Sequence, residues 1–348
     1  MPPSRASRMV HYSALGLSFG LAVLLTSCAP PQGAPQTTMF PKTEAARSIM
    51  DLYTFIFWAA ALVFIAVQGG IVYTLWRFRS RPGHELPPQV HGNTNLEVGW
   101  TVLPALVLLA VAVPTIQTIF FLEAPPAVGA SGAPGGSLRI EVVGKQWWWE
   151  FRYPEQNIIT ANELVLPVGR TVELTLLSDD VIHSFWVPQL MGKQDVMPSH
   201  ANGLWFTPEE PGQYFGQCAE YCGIQHAHMR MNVLVYTPQE FQAWVARQQG
   251  PAQPTTELAQ QGAEVFAQNA CVGCHAIQGT IAQARVGPDL SHFGSRTTLA
   301  SGILQNTPEN LAEWLRDPQA VKPGNKMPTL NLRPSEVEAL VEYLHSLK

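Results

Sequence analysis

The chain has 348 residues, 46% hydrophobic and only 14% charged, with a formal net charge of −5. Its length allows two or three domains, and its polarity is too low for a protein that is soluble throughout. No basic patch invites nucleic acid; residues 122–250 instead carry seven Lys and Arg against thirteen Asp and Glu, an acidic balance able to steer a basic protein donor.

Residues 1–27 contain Arg5 and Arg8, an uncharged apolar middle and the ending Leu25-Thr26-Ser27 before Cys28. This is the layout of an export signal. The ending resembles a bacterial lipobox, which would make Cys28 a diacylglyceryl-bearing mature N-terminus; a chance Cys after the signal is the alternative. Residues 52–76 and 98–122 are two uncharged runs of 25 residues. Each is long enough to span a hydrocarbon core of about 30 Å as a helix. Pro104 and Pro114 predict a kinked second span packed against neighbours. Arg77, Arg79 and Arg81 in the intervening loop place that loop in the cytoplasm. Everything after Glu123 is then extracytoplasmic.

A flexible Ala/Pro/Gly linker is predicted over 124–137. Short β-rich runs at 138–143, 163–166, 171–177, 214–217 and 231–235, divided by turn signals such as Pro211-Gly212, predict a Greek-key sandwich or barrel. On loops between these runs lie His183, from an earlier loop, and Cys218, Cys222, His226 and Met229, from a loop between late strands. A mononuclear blue-copper site needs two His, one Cys and a weak axial Met. One thiolate is in excess, which points to a second copper bridged by both sulfurs. A Cys218–Cys222 disulfide and a four-ligand zinc site are the alternatives.

Gly250, Pro251 and Pro254 mark a second linker over 248–256, beyond which residues 258–268 and 336–347 have amphipathic helical patterns. Between these helices stands Cys271-Val272-Gly273-Cys274-His275, the attachment pattern for a c-type haem with His275 as axial ligand. A zinc knuckle lacks further paired ligands. Met327, in Lys326-Met327-Pro328, is the predicted sixth ligand, with His292 as fallback. Five cysteines thus divide as one for lipid, two for copper and two for haem.

These motifs resemble subunit II of the haem-copper cytochrome c oxidases, in the variant with a cytochrome c fused at its C-terminus. Cys218-Ala-Glu-Tyr-Cys222-Gly-Ile-Gln-His226-Ala-His-Met229 is similar to the family's CuA loop, and Asp180-Val181-Ile182-His183-Ser184-Phe185 to its upstream ligand segment. The resemblance implies a two-helix transmembrane hairpin, an all-β cupredoxin-like Greek-key barrel and a small all-α cytochrome c domain. The expected bounds are 1–27 signal, 28–122 anchor, 123–247 CuA domain, 248–256 linker and 257–348 cytochrome domain. It further implies that Glu220 binds copper through its backbone carbonyl and lends its carboxylate to a magnesium shared with subunit I. Gln146-Trp147-Trp148-Trp149-Glu150 resembles the aromatic segment where electrons enter, with Trp147 and Trp148 as the input residues. As a strand it would place Trp147 and Trp149 on one face and Trp148 on the other, with one face exposed or at an interface. Glu97 resembles the acid at the mouth of a proton path, although a membrane-boundary carboxylate fits equally. Pro198-Ser199-His200 departs from the family, which commonly has Arg there near the subunit I haem propionates.

The implied function is electron input to a terminal oxidase in a bacterial cell membrane. Electrons pass from a donor, a cytochrome c or cytochrome bc complex, through haem c and binuclear CuA to subunit I, where oxygen is reduced and protons are translocated. The alternatives are an input subunit of a nitric oxide reductase and a copper-delivery lipoprotein.

Overall fold

The computed structural model describes residues 36–79, 83, 91–123, 136–254 and 256–348. The export signal, Cys28, Arg81 and most of the first linker lie outside them. Helices α1 (Glu44–Arg77) and α2 (Thr94–Glu123) contain the two apolar runs. α1 begins eight residues before its uncharged run because Thr43 caps it, accepting the Ala46 amide at 3.0 Å. Its charged first turns also have partners: Arg47 pairs with Glu209 at 2.6 Å. Pro104 and Pro114 lie inside α2 without ending it. Trp58 (66% exposed), Phe64, Leu108 and Phe120 face outward along the two helices, a surface that water disfavours and lipid accepts.

The β domain sits on the ends of these helices. Thr43 Oγ1 donates to the Leu190 carbonyl at 2.6 Å, and Trp205 Nε1 donates to the Leu122 carbonyl at 2.9 Å. Its ten strands are β1 (Leu138–Lys145), β2 (Trp148–Tyr153), β3 (Ile158–Ala161), β4 (Glu163–Pro167), β5 (Val172–Ser178), β6 (His183–Trp186), β7 (Gln194–Val196), β8 (Asn202–Phe206), β9 (Gly212–Cys218) and β10 (Arg230–Tyr236). They form two five-stranded sheets, ordered β3-β2-β1-β5-β8 and β4-β10-β9-β6-β7. The pairs β1/β5 and β4/β10 run parallel, and the other pairs are antiparallel. Trp149, Phe151, Tyr153, Leu164, Leu176, Phe185 and Phe206 fill the core between the sheets. The five β-rich runs all become strands. Of the other five, β2 does alternate, Trp149, Phe151 and Tyr153 inward against Glu150 and Arg152, and the remaining four are short or irregular in pattern. Helix α3 (Pro238–Gln248) starts from a Thr237/Glu240 capping box and packs Trp244 against Tyr153 at 5.2 Å.

The C-terminal domain contains α4 (Glu257–Gln268), β11 (Thr298–Leu299), β12 (Leu304–Gln305), α5 (Pro308–Arg316), α6 (Pro318–Val321) and α7 (Pro334–Ser346). α4 and α7 match the two predicted amphipathic helices within two residues at each end. They bury Phe266, Leu340, Tyr343 and Leu344 with Ile277 and Leu311 in a core of their own.

Candidate metal centres and the interface between them

The hairpin of β9 and β10 builds the first cluster. Residues 219–229 connect the two strands, and the loop is pinned where the Cys218 amide donates to the Met229 carbonyl and the Ala219 amide to the Ser184 carbonyl, each at 2.9 Å. A 3₁₀ turn, His226–His228, aims His226 back at the loop. His183 heads β6, which registers Phe185 opposite Cys218. Sγ of Cys218 then lies 3.7 Å from Sγ of Cys222, 3.9 Å from His183 Nδ1 and 3.2 Å from the Glu220 carbonyl. Sγ of Cys222 lies 3.6 Å from His226 Nδ1 and 3.8 Å from Met229 Sδ. A disulfide would bring the sulfurs to about 2.05 Å, so these cysteines are thiols. Each sulfur has its own imidazole, one has the thioether and the other the carbonyl. Six donors exceed the four of a tetrahedral zinc site, and their thiol, thioether and imidazole character suits copper.

The surroundings prepare these donors. His183 is fully buried, and its Nε2–H donates to Asp180 Oδ1 at 2.8 Å, leaving Nδ1 toward the sulfur. Gly144 makes room for the ring, since a Cβ there would stand 2.8 Å from His183 Cδ2. Burial raises the Asp180 carboxyl, but hydrogen bonds from His183 and from the Gln146 and Val181 amides outweigh it and hold the group at about 2. The imidazole moves the other way: burial lowers it, and Asp180 and Cys218 more than reverse that. The hydrogen bond shared by the two sulfurs holds Cys218 far below the ordinary thiol value and raises Cys222.

The second cluster lies in a cavity of about 960 Å³ including its mouth, lined by Cys274, His275 and Met327 together with Gln146, Trp147 and Trp148. His275 Nδ1–H donates to the Pro288 carbonyl at 2.7 Å, which leaves Nε2 for iron, and burial pushes the ring below the ordinary imidazole value. A Cβ on Gly287 would approach His275 Cε1 to 2.7 Å, so glycine keeps the ring's place open. The Met327 loop is fixed by Asn325 Oδ1, which accepts the Met327 amide at 2.7 Å, and by Gln319 Nε2, which donates to the Met327 carbonyl at 2.8 Å. Cys274, imidazole and thioether on one cavity, with Cys271 three residues earlier in the 3₁₀ turn Ala270–Gly273, fit a covalent haem. His292 lies outside the lining, with Nε2 2.9 Å from the Gly250 carbonyl.

The expected alternation of the three tryptophans is corrected. β2 starts at Trp148, so Trp147 precedes the strand and does not share a face with Trp149. Trp149 is in the barrel core, whereas Trp147 and Trp148 line the haem cavity. Trp147 Nε1 donates to the Cys222 carbonyl at 2.8 Å, so one indole touches both the cavity and the thiolate loop. Glu220 is exposed beside the cluster. Glu97 is exposed in the first turn of α2, accepting the Asn93 amide at 3.2 Å. The departing Pro198-Ser199-His200 segment is an exposed turn between β7 and β8.

Residues that sequence reasoning misses hold the two domains together. Glu163 Oε1 accepts the Thr297 amide (2.8 Å) and hydroxyl (2.6 Å) and the Thr298 amide (3.0 Å). Lys322 Nζ donates to the Trp147 carbonyl at 2.9 Å, and Gln225 Nε2 donates to the Pro323 carbonyl. The only sequence signal is Glu163 standing directly before the apolar run Leu164-Val165-Leu166.

Fold and clusters define a membrane-anchored electron-transfer protein with a cupredoxin-like domain and a c-type cytochrome domain. Family models match in the same order: cytochrome c oxidase subunit II, transmembrane domain, over 36–118; its periplasmic domain over 156–235; and cytochrome c over 259–348. The chain is 41% identical over 340 residues to cytochrome c oxidase subunit 2 of Alkalihalophilus pseudofirmus, covering 96% of each chain. It is 35% identical to that of Bacillus subtilis over 353 residues, covering 97% and 98%. The periplasmic domain of subunit II of cytochrome oxidase of Bradyrhizobium japonicum aligns at 32% identity, with a TM-score of 0.32, over 33% of this chain and 95% of that one. The chain belongs to the cytochrome c oxidase subunit II family. It is an electron-input subunit of that oxidoreductase, anchored in the membrane with its β and cytochrome domains outside the cytoplasm, and its family domains imply copper and haem c. It works with subunit I and other oxidase subunits.

Proposed function

We propose that electrons enter from a cytochrome c or cytochrome bc complex at a haem held by Cys271, Cys274, His275 and Met327, and leave through a binuclear copper centre held by His183, Cys218, Glu220 (carbonyl), Cys222, His226 and Met229. The observation that carries this reading is Trp147, whose ring lines the haem cavity while its indole N–H rests on the Cys222 carbonyl. Bound haem and copper supply the one-electron chemistry. The chain's own residues hold and orient. Asp180 fixes the His183 tautomer, the loop 219–229 presents both sulfurs together, and Trp147 and Trp148 close the cavity against water. His226 and Cys218 also face a second cavity, beside Ile49, Met50 and Tyr53 of α1, and this is the side on which subunit I would receive electrons.

Exposed Glu220 offers a hard oxygen to a magnesium shared with subunit I, Glu97 stands at a proton-path entrance, and Cys28 carries lipid. The proposed domain bounds are 1–27 for the signal, 28–122 for the anchor, 123–247 for the copper domain, 248–256 for the linker and 257–348 for the cytochrome domain. A nitric oxide reductase subunit and a copper-delivery lipoprotein are not favoured: the relatives matched over nearly their whole length are oxidase subunits, and delivery has no use for covalent haem. The test is flash reduction of the haem in the purified, loaded chain. Copper should then be reduced at a rate independent of protein concentration, and the chain without subunit I should consume no oxygen. Concentration-dependent transfer would refute the internal path.

A further inference from the structure

Lys322 is 3% exposed, at the start of the loop that carries Met327. Its ammonium donates to the Trp147 carbonyl at 2.9 Å and to the Ser301 hydroxyl at 3.0 Å; Ser301 Oγ donates to the same carbonyl at 2.7 Å. Among the described residues it has no carboxylate partner, and burial pushes the amine down to about 7. Taking an ammonium out of water without a counter-charge costs several kcal/mol. An apolar side chain of the same length would fill this place at lower cost. Stability therefore does not account for a lysine here.

Position does. Two donors from the cytochrome domain converge on one backbone oxygen of the β domain, and that oxygen belongs to the residue whose indole bridges the cavity and Cys222. The Lys322 carbonyl in turn accepts Asn325 Nδ2 at 2.7 Å, and Asn325 Oδ1 holds the Met327 amide. One residue thus ties the methionine loop to the tryptophan backbone.

We propose that Lys322 is a positioning residue for haem-to-copper electron transfer, acting through Trp147, whose indole it keeps between the haem cavity and the Cys222 carbonyl. This rests on the function proposed above.

The test uses the full chain, loaded with haem and copper in detergent, as four proteins: the parent, Lys322→Met, Trp147→Phe and the double variant. Lys322→Met should slow intramolecular transfer severalfold, because the indole that bridges the haem cavity and the Cys222 carbonyl is no longer held in place. Both midpoint potentials and the copper electron paramagnetic spectrum should stay as in the parent, while the ultraviolet resonance Raman band that reports indole hydrogen bonding shifts. In the Trp147→Phe background the same change should add little, because contacts in one network are not additive. An unchanged rate in Lys322→Met, or equal slowing in both backgrounds, overturns the proposal. If Lys322→Met does not fold, Ser301→Ala carries the same cycle, since it removes one donor to the carbonyl and leaves the buried charge in place. A parent without internal transfer refutes the underlying reading instead.

Discussion

Removing the Glu163 carboxylate should loosen the cytochrome domain from the β domain while leaving both folded. The side chain is 4% exposed and sends one oxygen across the boundary, where it accepts from the amides and hydroxyls of Thr297 and Thr298 at 2.6 to 3.3 Å. A hydrogen bond to a charged group contributes about 1.5–3 kcal/mol. Four donors on one oxygen cannot all act at full strength, so the two shortest contacts set the scale at about 3–5 kcal/mol. In Glu163→Ala that loss corresponds to docking weakened about 10²- to 4 × 10³-fold. Glu163→Gln keeps an acceptor without the charge and should lose about half as much free energy. Native-state hydrogen exchange measures it directly. The Thr297 and Thr298 amides should lose about 3–5 kcal/mol of protection in Glu163→Ala, while β1 and β5 amides in the barrel keep theirs. Protection at both threonines within about 1 kcal/mol of the parent would refute the clamp, and with it the claim that the haem cavity is held closed on Trp147.

Cys222→Ser should leave a single copper and remove the shared-electron hyperfine pattern, since a hydroxyl bridges soft copper poorly; metal analysis with paramagnetic resonance checks this. Met327→Ala should keep the haem attached through Cys271 and Cys274 but let the reduced iron bind carbon monoxide and lower its potential; binding no better than the parent would remove Met327 as ligand. In copper-free protein, Asp180, held at about 2 against an ordinary 3.8, stabilises the fold above pH 4, and that contribution is lost as pH falls from 4 toward 2. After solvent screening it is about 1 kcal/mol, and urea midpoints in Asp180→Asn should lack this acid step. Cys28→Ala should abolish lipid labelling yet leave the protein in the membrane, because one acyl anchor adds little to two spanning helices.

How much of this was legible in the sequence follows from how local each feature is. Both ligand sets announce themselves because their chemistry is packed into short stretches: Cys218 to Met229 span one hairpin loop, and Cys271 to His275 less than two helical turns. The long helices are legible for the same reason, although α1 starts earlier than its apolar run, since Thr43 and Arg47 find partners on a domain more than 140 residues away. α3 had a readable start in Thr237-Pro238-Gln239-Glu240, a capping box that hydrophobic periodicity overlooks in so short a helix. The boundary between the metal centres is the opposite case. Glu163 meets Thr297 across 134 positions, Ser301 meets Trp147 across 154 and Lys322 meets Trp147 across 175. Each reads in isolation as an ordinary polar surface residue, because nothing local distinguishes a carboxylate bound for water from one bound for two amides. Trp147 shows where the limit falls. Its segment's resemblance to the family's aromatic segment suggests an input residue, but only the seated cytochrome domain reveals that it lines the cavity of Cys274, His275 and Met327. The proposed function therefore has an external donor deliver its electron to the haem, not to the tryptophan, from a docking surface on the cytochrome domain.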